Sequence, residues 1–397
     1  MKETSILLGA GFSVNKGYPT ADKLNKRIKE LSPKDFWVSS DGTVLLKKRT
    51  EKDPNDYASD SRHKYFVVEL IKFYQNKTDG FNYEEFYDFL NNIDPNEQDT
   101  GFDELCDNFR NEYHNKTDNL NLISRTQNIF NQLISRFIVD GEGKRFYDSI
   151  HYSKPHYPGY TGFLNCLEFW GNEGLTHIHT LNHDIFLETL SHSDWIQGNF
   201  SDGFEEMGSK YYGEIKGGVK VRLSYFTNNY TNQFRLYKLH GSFDQVPFHL
   251  QNSGIDTYVK IKFGIGLTEL YKEVDDGQGG FSYVNDWINY HSDFLSGTTS
   301  KILRYGEPSY YDKVFKNFKK NLSNSNKLII IGYGCGDIEI NNMIEKYFNF
   351  KNHLIVIVDP YPSEQTKLFV KKFNAKLVQK TPDNLNLKDC EKASCQQ

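Results

Sequence analysis

The run LTHIHTLNHD, residues 175–184, decides the fold prediction, because it reads as a buried strand that ends in polar side chains. A second strand-like run, residues 234–239, ends in His240-Gly241-Ser242. Open α/β sheets bind their ligands outside the carboxyl ends of the strands. We therefore expect the side chains of Asn182, Asp184 and His240 to face one site.

A short apolar strand near the N-terminus, residues 6–8, runs into the glycine turn GAGFS at residues 9–13. Glycine lets backbone N–H groups approach a diphosphate closely, and such groups bind anions well. Together with the two strand ends, this turn predicts a dinucleotide whose reactive end lies near Asn182 and His240.

Two further apolar runs read as buried strands. LIII at 328–331 leads into GYGCGD at 332–337, and LIVIV at 354–358 leads into Asp359-Pro360. Between them, apolar residues at helical spacing predict a helix with Asp337 as its N-cap. Continuous apolar strands joined through a helix are typical of a parallel sheet covered on both faces. The fold prediction is α/β, with a Rossmann-like, mostly parallel sheet flanked by helices.

Residues 35–150 interrupt this pattern with aromatic and aliphatic residues at helical spacing, which predicts an inserted α-helical module. The catalytic domain is then discontinuous, at 1–34 and 151–380, and residues 381–397 form a polar tail. The glycine-rich and aromatic segment 194–221 is expected to be an active-site loop, with a plain hairpin connection as the alternative.

Composition excludes several classes of protein. A net charge of −5 with scattered lysines disfavours nucleic acid as the main ligand. No apolar run approaches the ~20 residues of a membrane span, and no signal peptide is visible, so a cytoplasmic protein is expected. Five cysteines without a C-x-x-C pair argue against a disulfide framework and a structural zinc site. His177, His179 and His183 are expected in core or surface roles, and no metal is expected.

In this order, the segments resemble the sirtuin-like NAD-binding family, specifically its bacterial antiphage-defence branch. The resemblance spans almost the whole chain and follows the two strand ends, both glycine turns and FLSG at 294–297; it is loose over 35–150. Sirtuins that deacylate proteins usually carry two zinc-binding C-x-x-C pairs, which are missing here. The resemblance therefore implies an NAD+ hydrolase with water as acceptor, which releases nicotinamide and ADP-ribose and depletes cellular NAD+.

Three residues are the catalytic candidates. Asn182 offers a donor and an acceptor to orient a water or a ribose hydroxyl; the alternative is an asparagine that closes a turn. His240 has an ordinary pKa near 6.5 and can accept a proton; the matching family histidine deprotonates a ribose hydroxyl or activates the acceptor. Asp184 contacts the nicotinamide amide or stabilises developing positive charge, or else caps a helix.

NAD+ is expected as substrate, held by two glycine turns. Gly9, Ala10, Gly11 and Phe12 would approach the pyrophosphate, and Ser13 would bond a phosphate or ribose. Gly332, Tyr333 and Gly334 would line the adenosine side, with Asp337 capping the next helix. Asp359 would accept from an adenosine ribose hydroxyl, or form a simple Asp-Pro turn.

Two other functions remain open: a protein deacylase or ADP-ribosyltransferase, and an NAD-binding assembly subunit with little turnover. Relatives pair with a HerA-type ATPase or a short Argonaute protein, so the resemblance implies a partner of one of these kinds. The aromatic residues of the insertion suggest a homo-oligomer, since homo-oligomer interfaces are apolar and two-fold contacts predominate. The alternative is that these rings complete the core of the monomer.

Overall fold

A computed structural model describes residues 2–38, 44–46, 62–93, 100–139, 159–193, 195–196, 198–215, 217–249, 254–262, 265, 269–285, 292–297 and 300–391. Its helices are α1 (Ala10–Ser13), α2 (Ala21–Lys29), α3 (His63–Lys77), α4 (Tyr83–Asn92), α5 (Thr100–Tyr113), α6 (Asn119–Val139), α7 (Thr161–Glu173), α8 (Ser300–Arg304), α9 (Tyr311–Asn324), α10 (Ile338–Tyr347) and α11 (Glu364–Phe373).

The strands are β1 (Lys2–Leu8), β2 (Phe36–Val38), β3 (Val44–Leu46), β4 (Gly174–Thr180), β5 (Phe200–Ser201), β6 (Gly203–Glu205), β7 (Tyr211–Ile215), β8 (Val219–Arg222), β9 (Ser224–Asn229), β10 (Phe234–Lys238), β11 (Gln245–His249), β12 (Ile255–Lys260), β13 (Leu270–Asp275), β14 (Phe281–Val284), β15 (Lys327–Ile331), β16 (Leu354–Val358) and β17 (Lys376–Val378).

The central sheet of the described residues has seven parallel strands in the order β17-β16-β15-β1-β4-β10-β5. The chain leaves β1 towards β4 and β10, and later returns to the other side of β1 through β15, so the strand order reverses beside β1. Such a reversal opens a crevice at the carboxyl ends of the strands. The predicted α/β fold with a mostly parallel, helix-flanked sheet is confirmed.

Alternating side chains of the central strands contribute to two of the three hydrophobic cores in the described residues. Ile6 and Leu8 of β1 belong to one core, which includes residues of α7 and of the helices α3 to α6, whereas Leu7 belongs to the other, with α9, α10 and α11. Successive side chains of a strand point to opposite faces. Burial on both faces is why β1, β15 and β16 read as unbroken apolar runs.

The helices α3 to α6, with the β2–β3 hairpin, form the region expected as an insertion. Its rings at Phe66, Phe86, Phe130 and Phe137 are at most 1% exposed and pack inside the chain itself. These four rings complete the monomer core, whereas Phe73 and Phe89 of the same region are partly buried; the expected homo-oligomer stays a prediction. The expected domain limit near residue 150 lies outside the described residues.

The segment expected as an active-site loop, 194–221, is largely strand. Its described residues contribute β5 to β8, and β6 and β7 belong to two four-stranded antiparallel sheets, β11-β12-β9-β6 and β14-β13-β7-β8. The glycines that suggested a loop occupy special positions within and between strands: Gly203 lies at a register shift with φ +82°, and Gly217 and Gly218 form the β7–β8 turn. Glycine adopts such positive φ angles without a steric penalty.

The C-terminal segment is packed as far as residue 390. Leu385 is buried, and the backbone of 383–385 contacts Gly162 of α7 so closely that a side chain there would clash. Cys390 is buried beside Cys166 of α7. The rest of the expected polar tail, from 392, lies outside the described residues. No helix in the described part is long and apolar enough to cross a membrane.

Candidate functional site

A cavity of about 720 Å³ opens where the carboxyl ends of β1, β4, β10 and β15 meet. Its volume falls within the roughly 300–1,000 Å³ that small-molecule and cofactor sites occupy. Ten of the thirteen residues expected in the site line it: Gly9, Ala10, Ser13, Asn182, Asp184, His240, Gly332, Tyr333, Gly334 and Asp337. Gly11, Phe12 and Asp359 are not among the lining residues.

Asn182 follows β4 by two residues and is held from both sides. Its Nδ2 donates to Gly9 O at 3.0 Å and to Ser13 Oγ at 2.9 Å, while its backbone N–H donates to Thr180 Oγ1. Both amide hydrogens are thereby used to join β4 to the glycine turn after β1. The side chain keeps its carbonyl oxygen as the acceptor for a ligand, so Asn182 cannot serve as both donor and acceptor, as the sequence suggested.

We expect Asn182→Asp to lower both stability and activity. The substitution places a second oxygen opposite Gly9 O and removes the two donated hydrogen bonds, which costs about 1–3 kcal/mol. Urea denaturation measures the free energy of unfolding, and product release measures the activity. An Asn182→Asp variant with wild-type stability would show that these two hydrogen bonds do not hold the turn.

His240 lies two residues after β10, in a segment whose backbone is fixed on both sides. The carbonyl of His240 accepts from Leu295 N at 2.7 Å, and Gly241 (φ +75°) forms a bridge with Phe294. Its Nε2 is buried without a hydrogen-bond partner among the described residues and lies 3.8 Å from Asp337 Oδ2. Burial lowers the pKa of His240 to about 3, helped by Lys301 and opposed by Asp337. The imidazole is therefore neutral near pH 7 and able to accept a proton.

Asp184 is buried and takes part in the turn after β4. One carboxylate oxygen accepts from Phe186 N at 3.0 Å, and the Lys238 side chain donates to the backbone carbonyl of Asp184. Burial raises the pKa of Asp184, against the lowering effect of Lys238. Asp184 thus closes this turn and does not cap the following 3-10 helix, which was the alternative from the sequence; its carboxylate also lines the cavity.

The two glycine turns pack directly on each other. Gly11 N donates to Gly332 O at 2.9 Å, and a Cβ on Gly11 would lie 2.9 Å from Gly332 Cα. Phe12 is buried against Tyr160, Phe163 and Phe186. Close contact between the turns therefore requires the glycines whether or not a phosphate is bound.

Asp337 and Asp359 have different surroundings. Asp337 is the N-cap of α10, as expected: its Oδ1 accepts from Glu339 N and Ile340 N. Asp359 accepts from Tyr361 N at 2.9 Å and so closes the turn after β16. Its predicted contact with an adenosine ribose stays a prediction.

Several charged or titratable residues of the cavity, among them Glu84, Lys301 and His183, were not predicted as site residues. Glu84 comes from α4 of the inserted region, and burial raises its pKa while Lys301 lowers it. Lys301 of α8 donates to Asp337 Oδ2 at 2.8 Å. His183 lies with its ring 6.3 Å from that of His240, and burial lowers its pKa to about 3. The sequence carries no local signal for Glu84 or Lys301, because neither follows a strand of the central sheet.

A buried ion network connects the strand ends to the antiparallel sheets. Lys260 of β12 contacts Glu188 at 3.1 Å and Asp202 at 2.7 Å, and Lys238 of β10 lies 3.7 Å from the same Glu188. Removing one partner of a buried pair leaves an uncompensated charge. The network therefore resists movement of Lys238, two residues before His240.

Metal binding has no support in the described part of the chain, where no group of three or more histidine, cysteine or acidic side chains is arranged to hold an ion. His177 pairs with Glu3 at 3.0 Å, and His179 packs against Tyr237 and Phe318. His177 and His179 thus have core roles, whereas His183 lines the cavity.

Solved structures and a family model both give matches to the chain. Solved structures that resemble the chain include a Sir2 homologue–NAD complex, with 11% identity, a TM-score of 0.37, and coverage of 96% of this chain and 85% of that one. A mutant Sir2 homologue in complex with ADP-ribose has 10% identity, a TM-score of 0.38 and coverage of 96% and 88%. A search of curated proteins gives no significant match.

The decisive match is to a family model described as the SIR2-like domain, which covers residues 176–378. That range is just over half of the 397 residues and runs from β4 to β17. It contains Asn182, His240 and the second glycine turn. The chain belongs to the SIR2-like domain family.

Proposed function

We propose that this chain is an NAD+ hydrolase that cleaves the bond between nicotinamide and ribose. One observation carries the proposal: Asn182 and His240, from the ends of the neighbouring parallel strands β4 and β10, line one cavity together with both glycine turns. Membership of the SIR2-like domain family supports NAD+ as the ligand of that cavity.

The residues present suit this chemistry. Cleavage leaves an oxocarbenium-like ribose, which is attacked by water; one O–H bond of that water breaks, its oxygen bonds to the ribose carbon, and nicotinamide leaves with the electron pair of the broken bond. Asn182 Oδ1 is free to accept from the water or a ribose hydroxyl, since both of its amide hydrogens are already donated. Neutral His240 takes up the released proton. The buried carboxyl group of Asp184 lies in the same cavity, where its ionised form would stabilise positive charge.

Water is the proposed acceptor. Cysteine pairs spaced for a structural zinc, which the deacylating sirtuins use near their peptide site, are missing from the sequence. One wall of the cavity is instead formed by Tyr83 and Glu84 of α4. Water is small enough to act as acceptor in such a cavity and needs no groove for a peptide.

A role in bacterial antiphage defence, in the cytoplasm, is part of the proposal and rests on the sequence resemblance. Depletion of NAD+ would then follow from activation by a partner or by self-association. The proposed partner is a HerA-type ATPase or a short Argonaute protein. Ile302 and Ile338, which line the cavity, are 42% and 71% exposed, and Leu303, next to Ile302 in the chain, is 85% exposed; these apolar side chains supply surface for such a contact. Light scattering of the purified chain tests self-association.

We expect the purified protein, alone or with its activator, to convert NAD+ into nicotinamide and ADP-ribose. Separation of the products by chromatography is the measurement. An acetylated peptide offered beside NAD+ is the control, because a deacylase transfers the acetyl group to ADP-ribose, whereas a hydrolase leaves the peptide unchanged. Tight NAD+ binding without nicotinamide release under any activating condition would favour an assembly subunit instead.

A further inference from the structure

The buried Nε2 of His240 faces a carboxylate across a short gap. Asp337 Oδ2 lies 3.8 Å away, and the two side chains are 9% and 10% exposed. Both residues line the cavity. Among the described residues, no atom forms a hydrogen bond with this nitrogen. Charges this close and this shielded from water interact much more strongly than surface pairs.

The carboxylate of Asp337 has two functions because its two oxygens point to different partners. Oδ1 caps α10 by accepting from Glu339 N and Ile340 N. Oδ2 accepts from Lys301 Nζ at 2.8 Å and faces His240. The cap fixes the position of the carboxylate, since its first oxygen is bound to the backbone of the helix.

From this geometry we propose that Asp337 is a positioning residue for His240: its carboxylate stabilises the protonated imidazole during NAD+ cleavage. Lys301 opposes this effect, because its ammonium group binds the same carboxylate oxygen. The proposal rests on the NAD+ hydrolase function. In the step concerned, an O–H bond of water or a ribose hydroxyl breaks, its electron pair stays on the oxygen, and an N–H bond forms at Nδ1 of His240, because Nε2 already carries the hydrogen that faces Asp337. The new positive charge then lies beside Asp337.

Other charged groups around His240 are consistent with these roles. His183, after β4, lies beside His240 and stays neutral because burial lowers its pKa to about 3. Glu84 of α4 interacts with Lys301 and Asp337 from the inserted region. Burial raises the pKa of Asp337, but His240, Lys301 and the cap bonds lower it below its ordinary value, so Asp337 is ionised at pH 7. Asp337 is thus the carboxylate that directly faces the histidine.

Asp337→Asn removes the negative charge but keeps the helix cap, because asparagine caps a helix about as well as aspartate. We expect kcat for nicotinamide release to fall roughly 10- to 100-fold, the equivalent of one to two pKa units of lost stabilisation, with KM little changed. The melting temperature should fall as well, because Lys301 loses the charge of its buried partner. Asp337→Ser, which also caps but is too short to reach His240, should behave alike. Glu345→Gln, an exposed change on the same helix, is the control.

Lys301→Met tests the opposing role. Loss of the cation leaves Asp337 free to act on His240, so the pKa of His240 rises and the acid limb of kcat/KM moves to higher pH. The double variant Lys301→Met/Asp337→Asn should lose that shift. An unmoved acid limb in Lys301→Met would remove Lys301 from the proposal.

A readout without turnover separates this inference from the proposed function. In histidine-labelled protein, the ring nitrogen shifts of His240, assigned with His240→Ala, should show the Nε2–H tautomer at pH 7 and lose that preference in Asp337→Asn. If the wild type releases no nicotinamide but the tautomer changes, the hydrolase function fails and the pairing stands. Unchanged nitrogen shifts in Asp337→Asn, or a kcat within about twofold of wild type, would overturn the pairing.

Discussion

Replacing His240 by alanine is expected to lower the rate of nicotinamide release roughly 10²–10⁴-fold, the usual contribution of a positioned acid–base group. The structure places this imidazole, buried and neutral, in the same cavity as Asn182. Chromatographic measurement of nicotinamide at saturating NAD+ gives the rate.

The His240 experiment needs two controls. His114→Asn changes an exposed histidine that does not line the cavity and has a left-handed backbone conformation that asparagine tolerates; it should leave the rate unchanged. A melting curve establishes that His240→Ala is folded. Retained cleavage in a folded His240→Ala variant would mean that another group accepts the proton.

The pH dependence of the wild-type rate gives a further check on His240. A histidine with an ordinary pKa near 6.5 would be largely protonated at pH 5.5, and the rate of a base-catalysed step would fall. Because burial lowers the pKa of His240 to about 3, its neutral form persists at pH 5.5. The value of kcat/KM should therefore stay level from pH 7.5 to 5.5, provided that the protein remains folded.

The central sheet could be predicted because its signal is local. Strands such as β15 and β16 are buried on both faces, so their apolar residues are continuous along the chain. The proximity of Asn182 and His240 could be predicted as well, because the carboxyl ends of neighbouring parallel strands lie at the same edge of the sheet. The pairing of β4 with β10 establishes that edge.

The remaining features of the site depend on contacts between distant segments. Glu84 enters the cavity from a helix that is separated from Asn182 by roughly a hundred residues of sequence, and Lys301 from a five-residue helix. The side-chain amide of Asn182 donates both of its hydrogens to Gly9 and Ser13, which belong to another segment of the chain. Periodicity and motif spacing describe one element at a time, so they cannot identify such neighbours. The antiparallel strands were missed because their turn glycines also fit a loop.

The contact between the glycine turns predicts the largest loss of stability. At Gly332, φ is +64°, a conformation that costs an ordinary residue about 1–2 kcal/mol. A Cβ at Gly332 would also lie 2.8 Å from Gly11 Cα and still closer to Phe12 N. Both are main-chain atoms, which cannot rotate away as a side chain can. Overpacking of this kind costs about 1–3 kcal/mol more.

We therefore expect Gly332→Ala to lower the free energy of unfolding by about 3 kcal/mol or more, a large part of the stability of a typical protein. Gly334→Ala is the matched control: it lies two residues on, its φ is not positive, and a Cβ there meets nothing within 4 Å. Its effect should stay within about 0.5 kcal/mol. Urea denaturation of the two variants is the measurement. Equal stabilities would mean that the turn after β15 can move away from the turn after β1. The cavity wall that the two turns share would then not be rigid, and the close packing of Gly9, Gly11 and Gly332 would not fix the site.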